Sequence, residues 1–360
     1  VPVVVCRGET LLRNPTNEEV ATVLGLTPQL DDSAIQDVVI IGGGPSGLAA
    51  AVYGASEGLR TLVLESCAPG GQAGSSSKIE NYLGFPTGIT GQELATRALV
   101  QAEKFGATIA VARTARFFHC DATPYVVELD TGERIRTRAV IIATGARYRR
   151  PDIPNLERFE NLGVYYAATH IEAAFCRGEE VAVVGGGNSA GQAAVFLSEK
   201  VRRVHMFVRS DGLSESMSRY LIRRIEDNPK ILVRLHSEIA AMEGARELES
   251  ITWRNNYTGE CARERIGHVF MMTGAEPATG WLGGCLAVDD KGFILTGQDL
   301  SHEVLHERGW TRSRSPYLLE TSRPHIFAVG DVRARSVKRV ASAVGEGAIC
   351  IQLVHRVLAE

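Results

Sequence analysis

Gly42-x-Gly44-x-x-Gly47, an acid at Glu65, and a second cluster, Gly185-x-Gly187-x-x-Ala190, are the residues of this sequence whose types and spacing point most directly to chemistry. In the first cluster Gly42 permits a tight turn, Gly44 lets the backbone approach a pyrophosphate, and Gly47 lets helix and strand pack closely. Pro45 and Ser46 then open a helix whose free N–H groups and positive dipole end face the phosphates. A lone glycine spacing is a weak signal. Here a β-branched run, the fingerprint, an alanine-rich helix, the strand "TLVLE" and its terminal Glu65, placed for ribose hydroxyls, follow one another in order. The second unit, "EEVAVVGGGNSAGQAAVFLSEKVRRVHMFVRS", repeats the pattern, with Asn188, Ser189 and Ala190 opening its helix. Its closing strand runs into Arg209 and Ser210 instead of an acid. Two unit charges ~4 Å apart interact by about 4 kcal/mol at an effective dielectric near 20. A carboxylate there would repel a 2′-phosphate and Arg209 would attract one, so the second unit suits NADPH better than NADH. Two dinucleotide units imply two dinucleotides, and the pairing that makes chemical sense is a flavin with a nicotinamide that supplies a hydride.

The elements that must position these residues exceed one comfortable core. At 360 residues, two domains are the default. Nothing in the composition, 44% hydrophobic and 22% charged with net charge −3, points to a nucleic-acid-binding or anionic-membrane surface. No apolar run approaches the ~20 residues of a membrane span, and no basic-then-apolar leader opens the chain. The seven cysteines, Cys6, Cys67, Cys120, Cys176, Cys261, Cys285 and Cys350, are scattered and never spaced C-x-x-C. That pattern speaks against a disulfide framework, a metal site or a local redox pair, and for a cytoplasmic protein with reduced thiols. At the amino end, "PVVVC" and "TLLRN" read as a hairpin. Thr16 and Glu19 have capping-box spacing before a helix that Gly25 can end.

The separated motifs "GGGPSGLAAA", "PGGQ…IENYLGFP", "AVIIATGA", "VAVVGGGNSA" and "IFAVGDV…KRVASAVGEGA" together resemble the low-molecular-weight thioredoxin reductase family of FAD- and NAD(P)-dependent pyridine nucleotide-disulfide oxidoreductases. The resemblance implies an α/β fold of two doubly wound, three-layer Rossmann-like domains, the NAD(P)H domain inserted in the FAD domain. It places FAD-binding segments at 33–152 and 279–360 and the NAD(P)H domain at 153–278. Residues 1–32 resemble part of a thioredoxin-like domain followed by a linker, and are expected to be what remains of such a domain. The resemblance implies that Gly42, Gly44, Pro45, Ser46 and Gly47 hold the FAD pyrophosphate and Glu65 the adenosine ribose. It places Gly71 and Gln72 along the flavin approach, Asn81 facing the isoalloxazine or ribityl chain, and Thr144 and Gly145 over the cofactor. Asp331, after Gly330, is expected on a ribityl hydroxyl. Lys338, Arg339 and Val340 fall where the family has Arg-Gln-Ala at the pyrimidine edge of the flavin, where positive charge favours the reduced cofactor. Gly185, Gly187, Asn188, Ser189, Ala190 and Arg209 are expected to hold NADPH. Only one arginine of the family's second-domain basic motif is kept, so NADH remains admissible.

One family feature is missing. The family carries C-x-x-C just before the second fingerprint, where this chain reads "GVYYAATHIEAAF", with Ala167 and His170 at the cysteine positions and Thr169 at the family threonine. A dithiol relay needs one thiolate to attack and another to resolve a mixed disulfide, and neither alanine nor histidine does that. His170, with an unperturbed pKa near ~6.5, is either a surface or packed residue with no task or the residue that exchanges a proton beside the flavin. The pair Tyr165–Tyr166 reads as packing. The expected activity is therefore an NAD(P)H-dependent flavoenzyme passing electrons to an external or interdomain acceptor: a redox protein of iron–sulfur type, a quinone, oxygen, or a disulfide in a fused domain. The alternative, from another class, is a non-catalytic flavin sensor of NAD(P)H status. The resemblance implies a homodimer.

Overall fold

The β-branched runs "IQDVVII", "TLVLE", "RAVII" and "IFA" are apolar on both faces, the signature of parallel strands covered on two sides. In the computed structural model these runs form one sheet. The structure describes residues 3–360 except Arg7, Leu26, Thr27, Gln29, Asp32, Ser77, Lys78, Glu80, Asn161, Ala167 and Thr169. The sheet order is Thr108–Val111, Thr61–Glu65, Ile35–Ile41 and Arg134–Ile142, all parallel. Ile326–Ala328 pairs in parallel with the second half of Arg134–Ile142, while its first half opens an antiparallel meander through Tyr125–Leu129 to Ala115–His119. Alternate residues of Ile35–Ile41 serve two cores. Val39 and Ile41 face Phe118, Leu282 and Ile294, whereas Val38 and Ile40 face Ala50, Ala51, Ile351 and Val354. The helices Pro45–Ser56 and Val340–Leu358 stack closely because their crossing is lined by small residues. A Cβ at Gly347 would land on the Ser46 carbonyl oxygen.

The chain divides into two compact units, Val1–Arg147 with Glu276–Glu360, and Tyr148–Ala275. The second is thus inserted in the sequence of the first. Its sheet is also parallel, ordered Val164–Tyr165, Val269–Met271, Glu180–Val184, Arg203–Phe207, Ile231–Arg234. The helices Asn188–Ser198 and Arg219–Glu226 and a three-stranded antiparallel sheet, Ser237–Glu243, Ser250–Asn255 and Cys261–Glu264, complete it. Each unit is Rossmann-like, as the motifs predict.

At the amino end Val3–Cys6 pairs antiparallel with Thr10–Arg13. The helix Asn17–Leu24 follows, with the Thr16–Glu19 capping box formed and Gly25 left-handed at φ +72°. One expectation is corrected. The thiols are not all free, because Cys120 and Cys285, 165 residues apart in sequence, are joined as a disulfide with their Cα atoms 6.4 Å apart. Local spacing carried no sign of this, since the pairing is made by the return of the chain after the inserted unit. No helix among the described residues is long and apolar enough to cross a membrane, and no cluster of metal-ligating side chains occurs among them.

Candidate functional site

The first cradle begins where Ile35–Ile41 ends. Gly42 adopts φ +107°, and a Cβ there would strike the backbone of Ala143. A Cβ at Gly47 would fall on the Gly42 carbonyl oxygen, so turn and helix meet with no room for a side chain. Glu65 is 7% exposed at the end of its strand. Its Oε2 accepts the Gly43 N–H at 2.7 Å and its Oε1 the Cys67 N–H at 2.8 Å. The acid therefore clamps the glycine turn while lone pairs remain for hydroxyl donors. The turn after this strand closes on the cradle. Gly70 N–H donates to Gly43 O at 2.7 Å, and Gly71, at φ +53°, lies against Gly44. The Gln72 amide donates to Ala146 O, tying this turn to the one holding Thr144 and Gly145, whose φ is +63°. Thr144 Oγ1 donates to Ala278 O at 3.1 Å.

The returning segment supplies the other side. Gly330, at φ +72°, sits where a Cβ would come within 2.7 Å of Ser46 Oγ. Burial raises the Asp331 carboxyl above its usual value, against the opposing pull of Lys338. Burial likewise lowers Lys338, whose Nζ donates to Asp331 O at 3.1 Å and lies 4.5 Å from the centre of the Phe293 ring. Arg339 and Val340 form the start of Val340–Leu358. The structure therefore brings Gly42, Gly44, Pro45, Ser46, Gly47, Glu65, Gly71, Gln72, Thr144, Gly145, Gly330, Asp331, Lys338, Arg339 and Val340 into one unit. Asn81 is exposed on the loop between Ile79 and Ile89. Sequence reasoning missed Glu346, whose Oε2 accepts the Gly330 N–H at 2.7 Å and which pairs with Arg333. The flanking glycines of "VGEGA" signal a close helix approach but not which N–H the acid meets.

The second cradle is built the same way. Gly185, at φ +140°, abuts the Met272 carbonyl, and Ala190 is fully buried against it. Asn188 Oδ1 accepts the Ser218 N–H at 2.8 Å, Ser216 Oγ donates to Gly186 O at 3.1 Å, and Ser189 is exposed. Register decides what stands in the place of the acid. Gly42 N–H donates to Leu64 O and Gly185 N–H to Phe207 O, so Val208, not Arg209, is the counterpart of Glu65. Val208 is buried, and a Cβ at Gly186 would lie 3.1 Å from its Cγ1. Arg209 follows it, exposed.

The helices at these cradles share a further property. Pro45–Ser56, Asn188–Ser198 and Val340–Leu358 have no side-chain cap at their N-termini. The helices Asn17–Leu24, Gly91–Lys104 and His302–Glu307 are capped by Thr16, Thr90 and Ser301, while Arg219–Glu226 also lacks a side-chain cap. First-turn N–H groups left for an outside acceptor, beside glycines that admit a phosphate, fit dinucleotide pyrophosphates.

In the segment before the second cradle, His170 is exposed at the start of His170–Phe175, its ring edge-on to Phe196 with centroids 5.2 Å apart. Ala167 and Thr169 lie outside the described residues. Tyr165 is buried and stacks on His268, and Tyr166 donates to Glu160 at 2.8 Å. Both tyrosines are packed, as expected, and burial raises their hydroxyl pKa values. Cys176 is fully buried, donates to Glu172 O at 3.1 Å, and is pushed up to about 11 by desolvation.

The profile of the pyridine nucleotide-disulphide oxidoreductase family matches residues 36–347. The thioredoxin reductase of Treponema pallidum is 35% identical over 314 residues, covering 87% of this chain and 94% of that protein. The NADPH-dependent thioredoxin reductase 3 of Arabidopsis thaliana is 31% identical, covering 98% of this chain and 65% of that protein. The crystal structure of Lactococcus lactis thioredoxin reductase superposes with a TM-score of 0.79 at 30% identity, covering 90% of this chain and 99% of that one. The family uses FAD and NADPH. With two glycine cradles, their uncapped helices and these likenesses in agreement, the chain belongs to the pyridine nucleotide-disulphide oxidoreductase family, among the homologues of thioredoxin reductase.

Proposed function

We propose that this chain is an FAD-dependent NAD(P)H oxidoreductase that works without the dithiol of its relatives and hands electrons to an external or interdomain acceptor. The observation that carries the reading is the pair of cradles in a chain whose sequence has no C-x-x-C. FAD, when bound, would supply the redox chemistry between NAD(P)H and the acceptor. The protein's part is to hold and orient. Gly42, Gly44, Pro45, Ser46 and Gly47 take the pyrophosphate and Glu65 the ribose. Gly71, Gln72, Asn81, Thr144, Gly145, Gly330 and Asp331 line the flavin, and Lys338, Arg339 and Val340 place positive charge and a helix end at its edge. Gly185, Gly187, Asn188, Ser189, Ala190 and Arg209 take the nicotinamide dinucleotide. His170 is the candidate proton carrier. The raised pKa of Cys176 supports leaving that sulfur out of the relay, because a thiol without thiolate character is a poor nucleophile.

The acceptor is read as a redox protein or small molecule, and the protein as cytoplasmic. Residues 1–32 are read as part of a thioredoxin-like domain and a linker. The resemblance to the thioredoxin reductases supports reading the protein as a homodimer. The deciding experiment is anaerobic mixing with NADPH and then NADH while flavin absorbance is followed, with an acceptor screen afterwards. Rapid bleaching and turnover with one acceptor is expected. No bleaching, or bleaching without turnover on any acceptor, would favour the sensor, and turnover of a thioredoxin disulfide by this chain alone would refute a reading without the dithiol.

A further inference from the structure

Cys120 directly follows the outer strand of the meander, Ala115–His119, and Cys285 lies just after the chain re-enters the first unit at Glu276. Their Cα separation of 6.4 Å falls within the range that a disulfide spans. The bond lies in the apolar cluster of Phe118, Leu282, Leu286 and Val332. Each cysteine retains 8% exposure, and the other five, Cys6, Cys67, Cys176, Cys261 and Cys350, are free thiols. The position is mechanically consequential. The returning segment 276–286 holds the Thr144–Gly145 turn at its near end, where Ala278 O accepts from Thr144 Oγ1 at 3.1 Å and Ala278 N–H donates to Gly145 O at 3.3 Å. Trp281 Nε1 donates to Ala278 O at 3.1 Å and its ring lies 6.1 Å from that of Phe118. The disulfide pins the far end. It is also the one covalent tie, among the described residues, between the two sequence segments that build this unit.

We propose that Cys120 and Cys285 are a redox-exchangeable cross-link, formed and broken by exchange with a low-molecular-weight thiol–disulfide pair, that sets how firmly the returning segment is held to the meander. One cysteine thiolate attacks the small disulfide RSSR, forming a mixed disulfide and expelling RS⁻. The second cysteine thiolate attacks the protein-side sulfur of that mixed disulfide and expels the other RS⁻. Two electrons pass from the protein dithiol to RSSR, the two thiol protons go to the two RS⁻, and two RSH leave. Reduction runs the same steps in reverse. With so little exposed sulfur, exchange follows local opening of the segment. A cross-link across 165 residues of sequence restrains the unfolded chain strongly, so the reduced form is the less stable one. None of this depends on the proposed NAD(P)H activity.

The test uses the full chain equilibrated with oxidised and then reduced glutathione, denatured, alkylated and weighed. Oxidised protein is expected to take five alkyl groups and reduced protein seven, with the Cys120 and Cys285 peptides linked only in the former. The unfolding midpoint of the first unit is expected to fall by roughly 5–15 °C on reduction, and C120A/C285A is expected to lose this dependence. Seven adducts after full oxidation, a cross-link between other cysteines, or a wild-type midpoint indifferent to reduction would each overturn the proposal. Should C120A/C285A fail to fold, the wild-type adduct count and midpoint decide alone.

Discussion

Replacing Glu65 by glutamine separates the two tasks assigned to that side chain. Its carboxylate accepts two backbone N–H groups, from Gly43 at 2.7 Å and Cys67 at 2.8 Å, at a position 7% exposed. Glutamine has nearly the same shape but one acceptor oxygen. One N–H keeps a partner and the other faces an NH₂, leaving a buried donor unpaired. A hydrogen bond to a charged group contributes about 1.5–3 kcal/mol, and an orphaned buried donor costs a similar amount. A loss of about 2 kcal/mol, roughly 30-fold in the folding equilibrium, is therefore expected in the protein freed of cofactor. It is read as a lower urea midpoint for the first unit. The remaining carboxylate lone pairs are those proposed for the ribose, so FAD affinity should fall by a further ~10-fold, measured by flavin fluorescence on titration into apoprotein. An unchanged urea midpoint would refute the clamp. An unchanged FAD dissociation constant with a lowered midpoint would refute the ribose assignment alone.

Gly47→Ala places a methyl group on the Gly42 carbonyl oxygen, with the Ala143 Cβ 3.3 Å away. It is expected to cost about 3 kcal/mol or more and to abolish FAD retention, checked by circular dichroism and flavin content. Val208→Glu restores a carboxylate under Gly186 at the position matching Glu65, and should invert the nicotinamide preference toward NADH. Arg209→Ser, removing one exposed charge, should raise KM for NADPH by roughly 2- to 5-fold and leave NADH unaffected. Asp331 has a raised folded-state pKa, so its favourable contribution is present below its unfolded value and lost as pH rises through the folded one. At neutral pH its ionised form costs stability, and Asp331→Asn should stabilise the apoprotein there, the gain vanishing below about pH 4. Urea midpoints across that range measure it, and FAD binding should weaken in the same variant.

Much of the site was legible because its requirements are local. Gly42, Gly185 and Gly330 hold left-handed or crowded backbone that only glycine tolerates, and the run from Gly42 to Glu65 spells out strand, turn, helix and strand in order. The capping box at Thr16 and Glu19 was readable for the same reason. Glu346 was not, because its partner, the Gly330 N–H, lies 16 residues back in sequence and is reached only when the last helix docks. Arg209 drew attention as the strand's charged end, but the hydrogen bond from Gly185 to Phe207 sets the register and puts Val208 in the place of the acid.

Sequence alone marked two glycine turns between strand and helix, which glycines form them, and that no cysteine pair has C-x-x-C spacing, since each follows from residue identity and short spacing. The tertiary structure decided which side chains meet across long intervals: Cys120 with Cys285, Gln72 with Ala146, Thr144 with Ala278. Those contacts depend on how strands are ordered in a sheet and where an interrupted chain returns to it, and one-dimensional spacing carries neither.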